Sequence, residues 1–148
     1  MRNILFVGCG GSGGALLGYL MDQLRSDLRR HGIDQLPGGW GFIHVDCPPA
    51  PDHMAPGLGT VWDLGGTYVA LAPQVGSYAI VDRSVTSGQA LEEMATWAPR
   101  RPDRINVPIQ LGAGQQRVLG RVLLASRAPS LIEQLKSAVD AMKSSEST

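Results

Sequence analysis

The stretch Ile4-Leu5-Phe6-Val7, followed by Gly8-Cys9-Gly10-Gly11-Ser12-Gly13-Gly14, decides the fold of this chain. Four apolar residues bounded by glycine predict a buried strand over residues 3–8. After the glycines, apolar side chains recur three and four residues apart and predict a helix over residues 14–31: Leu17, Leu20, Met21, Leu24 and Leu28. We therefore expect residues 8–14 to form the loop between a strand and a helix.

A glycine-rich junction of this kind is suited to binding phosphate. Glycine adopts backbone angles that other residues avoid, and it lets a ligand approach the main chain closely. The start of the following helix adds N–H groups without intrahelical acceptors and the positive end of the helix dipole. The glycine run is therefore expected to bind an anionic group.

The composition indicates a single domain and argues against a nucleic-acid-binding or membrane-spanning protein. A chain of 148 residues, 43% of them hydrophobic, is long enough for one domain with its own core. Lys and Arg together number 13, as do Asp and Glu, so the balanced charge predicts no nucleic-acid partner. No segment approaches the roughly 20 apolar residues of a membrane span. We expect a cytoplasmic protein in which Cys9 and Cys47 stay reduced.

A second strand is predicted over residues 40–46, and it completes a βαβ unit with parallel strands. His44 lies within this strand and is interpreted as a structural side chain, because no partner at a metal-ligand spacing is near it in sequence. Asp46 stands at the carboxyl end of the strand, where open α/β sheets bind their ligands. A role near a ribose or base and a purely turn-forming role before Pro48 both remain open for Asp46.

Residues 48–104 are rich in Pro and Gly and are expected to form an irregular insertion, with a surface excursion as far as Gly66. A short strand is expected at residues 67–71, and residues 77–81 fit either a strand or a helical turn.

A second glycine-rich junction follows this insertion. An extended segment over residues 105–111 enters the turn Gly112-Ala113-Gly114 and continues into a helix that Pro129 is expected to end. Ser130 and Glu133 are typical of a capping box, which would open a last helix over residues 131–143. The polar residues 144–148 are expected to be a disordered tail.

The first junction alone fits a dinucleotide-binding module of an oxidoreductase. Residues 8–13 satisfy the pattern G-x-G-x-x-G between a strand and a helix, and Asp46 would then bind the ribose of NAD or FAD. However, Asp46 lies farther downstream than the usual distance of about 20 residues. This interpretation also gives Gly112-Ala113-Gly114 no role.

Taken together, the two junctions resemble the tubulin and FtsZ superfamily, and most closely its bacterial tubulin-like members. Residues 7–14 look like the first nucleotide-binding loop, and residues 42–46 look like the strand that leads into the second loop. Residues 112–121, Gly-Ala-Gly-Gln-Gln-Arg-Val-Leu-Gly-Arg, resemble the third loop of this family. The three motifs occur in the family's order.

The resemblance implies a site for GTP or GDP, with Mg²⁺ as a possible companion of the phosphates. The first loop would cup the β- and γ-phosphates, and the third loop would close over the far end of the nucleotide. The residues that the resemblance assigns to this site are Gly8, Gly10, Gly11, Ser12, Gly13, Gly14, Asp46, Gly112, Ala113, Gly114 and Gln115. FtsZ has an asparagine near the position of Gly14 that helps to read guanine, so the glycine here leaves the choice of base open.

The resemblance also implies what the chain lacks. Tubulin-like proteins continue with a further strand, another phosphate loop and acidic catalytic residues, so we expect only the N-terminal part of the GTP-binding domain here. The fold is thus predicted to be an incomplete Rossmann-like, three-layer α/β domain with a mostly parallel sheet, over residues 1–143.

The missing strand normally pairs with the first strand, so residues 4–7 are expected at an open sheet edge. A second copy or a second polypeptide would cover this edge in a homo- or hetero-oligomeric, cytoskeleton-like assembly. We expect the isolated chain to bind nucleotide weakly and not to turn it over. A third hypothesis is a non-enzymatic interaction protein that keeps the fold and has lost the ligand.

Overall fold

The computed structural model describes residues 2–53, 56–86, 96–99 and 101–145. Its elements, in chain order, are β1 (Ile4–Cys9), α1 (Gly10–Arg30), β2 (Trp40–Asp46), β3 (Thr67–Ala70), α2 (Tyr78–Thr86) and α3 (Arg117–Ser144). Short 3₁₀ helices lie at Pro102–Arg104 and Ile109–Leu111. The three strands form one parallel sheet in the order β1-β2-β3, which confirms the predicted α/β class.

The chain divides into two compact units. The first contains residues up to Asp46, residues 50–69 and the residues from Leu131 onward; the second contains residues 47–49 and 70–130. The single domain over residues 1–143 stays a prediction, and most of the tail at residues 144–148 lies outside the described residues.

The connection between β1 and α1 differs from the predicted loop over residues 8–14. β1 runs to Cys9 and α1 begins at Gly10, so Cys9 is the N-cap residue and Gly11 to Gly14 already belong to the helix. Gly10 has a φ of +69°, in the left-handed region that glycine adopts without steric cost. A single residue therefore reverses the chain, and no separate loop is needed.

In the first unit the sheet carries a helix on each face. On one face, Leu17 and Met21 of α1 form a buried cluster with Phe42 and Val61. Because neighbouring residues of a strand point to opposite faces, Gly41 lies on the other face. There an ideal Cβ on Gly41 would lie 3.1 Å from Sδ of Met142, in the C-terminal part of α3. This arrangement has the three-layer order that the sequence predicts.

Within the expected surface excursion, residues 58–66 contribute to the core through Val61, while Trp62 is exposed. The Val61 side chain is 2% exposed and belongs to the core cluster beneath α1. Arg25 of α1 donates a hydrogen bond of 2.7 Å to the carbonyl oxygen of Leu64. Thr60 and Asp63 cap the turn reciprocally, since the Thr60 N–H and hydroxyl donate to the Asp63 carboxylate and the Asp63 N–H donates to the Thr60 hydroxyl.

This cap predicts a pH dependence of stability. Hydrogen bonds from the Thr60 backbone and side chain lower the pKa of Asp63 below its ordinary value. A carboxyl whose pKa is lower in the folded than in the unfolded chain adds stability above its unfolded pKa, and this contribution disappears as the pH falls through the folded value. We therefore expect the stability of D63N to fall less steeply than that of the wild type between about pH 5 and pH 2.

Urea unfolding at a series of pH values measures this difference. Thr60→Val keeps the backbone donor, loses the hydroxyl, and should give an intermediate profile. Superimposable pH profiles of the wild type and D63N would contradict the prediction.

The second unit contains α2 and the N-terminal part of α3. Residues 78–86 are helical, which decides between the two alternatives for residues 77–81. The Tyr78 hydroxyl donates to Oδ2 of Asp82 at 2.9 Å, and both side chains are buried. Burial, with the hydrogen bond to Asp82, raises the pKa of Tyr78 above its ordinary value, so the phenol remains protonated as the donor.

The predicted break at Pro129 and the separate last helix with a capping box at Ser130 are wrong. α3 is continuous from Arg117 to Ser144 with Pro129 inside it. A proline removes one backbone hydrogen bond from a helix, but packing on both sides can outweigh this local cost. Leu119 and Leu123 before the proline are fully buried, and Met142 after it is 6% exposed. The expected extended segment over residues 105–111 contains instead a short 3₁₀ helix at Ile109–Leu111.

Within the described residues, no helix combines the length and the apolar composition needed to cross a lipid bilayer.

Candidate functional site

The N-terminus of α1 presents main-chain donors to solvent. Because the helix begins at Gly10, the N–H groups of Gly10, Gly11 and Ser12 have no acceptor within it. None of the loop and turn hydrogen bonds between described residues uses them as donors. Gly11 and Ser12 are exposed, and the first turn of α1 contains no acidic side chain. Three donors without an intrahelical acceptor, two of them on exposed residues, therefore lie at the positive end of a 21-residue helix.

Gly8 and Gly13 hold this turn against β1 by direct contact of their main chains. An ideal Cβ on Gly8 would lie 2.5 Å from the carbonyl oxygen of Gly13 and 2.8 Å from Cδ1 of Leu17. An ideal Cβ on Gly13 would lie 2.8 Å from the carbonyl carbon of Gly8. Real side chains do not fit at these distances, so the two glycines are required by packing.

Gly14 is enclosed by the imidazole ring of His44. An ideal Cβ on Gly14 would overlap Cε1 and Nε2 of the ring and lie 2.8 Å from Nδ1. Nε2 of His44 lies 3.1 Å from the carbonyl oxygen of Gly10, within hydrogen-bond distance. The interpretation of His44 as a structural side chain agrees with its burial, at 2% exposure.

The contact of His44 with the glycine turn was missed at the level of sequence. The signal that could reveal it is the strand register, since β1 and β2 pair in parallel with Gly8 opposite His44. That register places His44 beside the turn that follows Gly8.

Asp46 reaches the same part of the first unit. Its Oδ2 lies 3.7 Å from Nε2 of His44, and its side chain is 15% exposed. It stands at the end of β2, as predicted. The structure thus brings together Asp46, His44 and the Gly10 carbonyl at the carboxyl edge of the sheet.

The second glycine stretch forms a tight turn in the second unit. The Gln116 N–H donates to the Ala113 carbonyl at 3.0 Å, and the two central residues, Gly114 and Gln115, both have positive φ. Positive φ at both central positions is typical of a type I′ turn. Gly112 also has a positive φ, of 134°. The mutual approach of this turn and the first glycine run stays a prediction.

Gln115 is the one non-glycine residue of the described chain with a positive φ, and its side chain is exposed. A backbone conformation of this kind costs about 1–3 kcal/mol and is found preferentially at functional sites. Arg121, in the same motif, places its guanidinium carbon 5.8 Å from the ring centroid of Trp97.

The sheet edge at β1 is partly uncovered in the described structure. β1 pairs with β2, and within the described residues no strand lies on its other side. Ile4 and Val7 of β1 are 39% and 45% exposed, and Leu16 and Tyr19 of the adjoining α1 are 68% and 56% exposed. These four apolar side chains are thus exposed on β1 and on the helix that follows it.

Comparison with known proteins identifies the family. The family model described as "Tubulin like" matches residues 5–148, which is nearly the whole chain and includes both glycine stretches. Neither the comparison with curated proteins nor that with solved structures gave a match. The chain belongs to the tubulin-like family.

Proposed function

We propose that this chain binds a guanine nucleotide, GTP or GDP, through the N-terminal turn of α1. The observation that supports this most directly is the set of three main-chain donors at Gly10, Gly11 and Ser12, two of these residues exposed, in a member of the tubulin-like family. A helix N-terminus favours an anionic ligand through its free N–H groups and its dipole. Close packing of Gly8 on Gly13 fixes these donors before the ligand arrives.

The chemistry of the turn fits a phosphate group. Phosphate oxygens accept short, charge-assisted hydrogen bonds from backbone N–H groups. The Ser12 hydroxyl adds one more donor, and the neighbouring glycines add no bulk that would keep the ligand away. Mg²⁺ is usually held by phosphates with few protein ligands, so it would arrive with the nucleotide.

Asp46 and the second glycine stretch are the other predicted contacts of the nucleotide. We propose a contact of Asp46 with the ribose or base, because it stands at the carboxyl end of β2, where open α/β sheets bind their ligands. Gly112, Ala113, Gly114 and Gln115 are proposed to close over the far end of the nucleotide. Because Gln115 keeps a costly backbone conformation at an exposed position, a ligand-binding role is the physical reason that we offer for it.

Isothermal titration calorimetry with GTP and Mg²⁺ tests the proposal, with GDP, ATP and NADH as competitors. We expect binding of GTP and no binding of NADH. Binding of NADH or a flavin instead would favour the dinucleotide-binding alternative. Flat titrations with every nucleotide would favour an interaction protein that has lost its ligand.

A matched pair of variants at Ser12 locates the site. Ser12→Asp places a carboxylate among the donors and Ser12→Asn is its neutral isostere. We expect S12D to bind GTP about tenfold more weakly than S12N, a difference of about 1.4 kcal/mol, because the added carboxylate repels the phosphates. The melting temperature of S12D should not fall, since an acidic residue in the first turn stabilises a helix. Equal affinities of S12D and S12N would place the nucleotide elsewhere.

We also propose that the chain acts in a homo- or hetero-oligomeric assembly in which a second polypeptide covers the β1 edge. An exposed apolar edge strand is a template for pairing with another chain, so proteins generally cover it. Light scattering with and without GTP and Mg²⁺ measures the mass in solution. We expect Val7→Lys, at 45% exposure, to reduce association. A wild-type chain that stays monomeric alone, and pairs with no partner encoded beside it, would contradict the assembly.

A further inference from the structure

We infer that His44 is the positioning residue for the phosphate-binding turn, and that Gly14 is glycine in order to admit its ring. This inference deepens the nucleotide-binding function proposed above and rests on it for its effect on affinity. Its structural core is a hydrogen bond from a buried imidazole to the carbonyl of the first residue of α1.

The hydrogen bond ties the start of α1 to the interior of the first unit. Nε2 of His44 lies 3.1 Å from the carbonyl oxygen of Gly10, and a carbonyl only accepts, so Nε2 carries the proton. The side chain is 3% exposed and comes from β2, the middle strand of the sheet. The first residue of α1 is therefore anchored to the most interior strand of this unit.

This anchor also sets the direction of the next N–H group. In a trans peptide, the carbonyl oxygen and the following amide hydrogen point in opposite directions. Because the Gly10 carbonyl points inward to His44, the Gly11 N–H must point outward from the turn. Gly11 is exposed, so this donor faces the position proposed for the phosphate. Anchoring one peptide plane thus fixes one ligand contact in advance, which lowers the cost of binding.

Three neighbours keep the imidazole ring in place. His44 and Tyr68 of β3 form an edge-to-face pair with ring centroids 5.1 Å apart. Oδ2 of Asp46 lies 3.7 Å from Nε2, and Gly14 of α1 lies directly against the ring. These contacts from two strands and one helix restrict the ring to an orientation in which Nε2 meets the Gly10 carbonyl.

Gly14 leaves the space that the ring occupies. A methyl group at this position would overlap the ring atoms Cε1 and Nε2. The ring is buried and cannot move into solvent, so a side chain at Gly14 would displace Nε2 from the carbonyl. Gly14 is accordingly assigned to the packing of the turn and not to a contact with the ligand.

The experiment compares two substitutions of His44 in the full chain. His44→Gln keeps an N–H donor close to the position of Nε2, whereas His44→Leu keeps apolar bulk without a donor. We expect H44L to lower GTP affinity at least tenfold and H44Q to stay within threefold of the wild type. Rescue by glutamine separates positioning from core packing, because leucine fills the same space. Equal affinities of H44L and H44Q would overturn the inference while leaving nucleotide binding intact.

Steric coupling with Gly14 gives a readout that does not need the nucleotide. Gly14→Ala alone should strongly destabilise the protein. In the His44→Ala background the space is free, so the factor by which G14A raises the unfolding equilibrium constant should be at least tenfold smaller. If G14A does not fold, a folded G14A/H44A double variant demonstrates the same steric coupling. Equal effects of G14A in both backgrounds would refute the Gly14–His44 pairing.

Nuclear magnetic resonance distinguishes a failure of the proposed nucleotide binding from a failure of the inference about His44. The ¹⁵N shifts of His44 should show the proton on Nε2, and the Gly11 amide signal should move in H44L much more than in H44Q. If the wild type binds no nucleotide but these signals behave as expected, the proposed function fails and the structural pairing stands. If Nε2 is unprotonated, or if the Gly11 amide signal moves in neither H44L nor H44Q, the inference is wrong.

Discussion

Gly8→Ala is expected to destabilise the protein by about 3 kcal/mol, the upper part of the usual range for overpacking. The added methyl group would lie 2.5 Å from the Gly13 carbonyl oxygen and 2.8 Å from its carbonyl carbon. Both atoms belong to the main chain of α1, so they cannot rotate away as a side chain can. Relief requires the helix to separate from β1, which breaks the packing that holds the first turn of α1 against the strand.

Urea unfolding of G8A and of a matched control measures this effect. Gly120→Ala makes the same chemical change inside α3, where, among the described residues, an ideal Cβ meets only the Ala113 Cβ at 3.8 Å. A glycine in a helix interior costs about 0.5–1 kcal/mol relative to alanine, so G120A should stabilise the protein by that amount. Glycine to alanine is thus expected to lower the free energy of unfolding at position 8 and to raise it at position 120. A G8A variant as stable as the wild type would show that the Gly8–Gly13 contact is not required.

Met21→Ala is expected to cost about 2–5 kcal/mol, the range for truncating a buried large side chain to alanine. Met21 is 0% exposed and packs with Leu17, Phe42 and Val61 beneath α1. Its removal leaves a cavity between the helix, β2 and the segment that precedes β3. The loss includes both the transfer of the side chain to water and the cavity.

Leu16→Ala provides the control on the same helix. Leu16 is 68% exposed, and alanine has a slightly higher helix propensity than leucine. We expect L16A to change the free energy of unfolding by less than about 0.5 kcal/mol, as is usual for surface positions. Comparable losses in M21A and L16A would mean that a partner buries Leu16 as deeply as the core buries Met21. Light scattering on the same samples distinguishes that result from an error in the described core.

The glycine run divides into positions with different physical roles. Gly8, Gly13 and Gly14 lack side chains because neighbouring atoms occupy the space. Gly10 needs a positive φ, since it turns the strand into the helix. Gly11 and Ser12 are exposed in the first turn of the helix, and we propose that their N–H groups bind the ligand. A motif that looks uniform in sequence thus combines packing and chain reversal with the binding role that we propose.

Elements that follow one local rule are predicted correctly by the sequence. The apolar run before Gly8 predicts the strand β1, although Gly8 is the one buried residue of that strand, and the apolar stripe from Leu17 predicts α1 through the periodicity of its buried face. Those elements, with the order of the glycine motifs, were enough to predict the tubulin-like family that the comparison confirms.

Elements in which tertiary contacts outweigh local preference differ from the prediction. Pro129 was predicted to end a helix, yet α3 continues through it because residues on both sides are buried. Residues 58–66 have little periodicity and were placed at the surface, yet Val61 is part of the core. Irregular segments bury side chains without a repeating pattern, so hydrophobic periodicity does not identify the buried residues.

The amino-acid sequence by itself determined the α/β class, the parallel βαβ start and the family, because these depend on residue types at fixed spacings along the chain. Only the tertiary structure decided that the glycines at 10–14 belong to the helix and that His44 holds the Gly10 carbonyl. It also decided which glycines serve packing. The reason is that such contacts depend on how strands pair and how closely a helix approaches the sheet. Residues 30 or more positions apart in sequence then come into contact, and their spacing along the chain does not predict that contact.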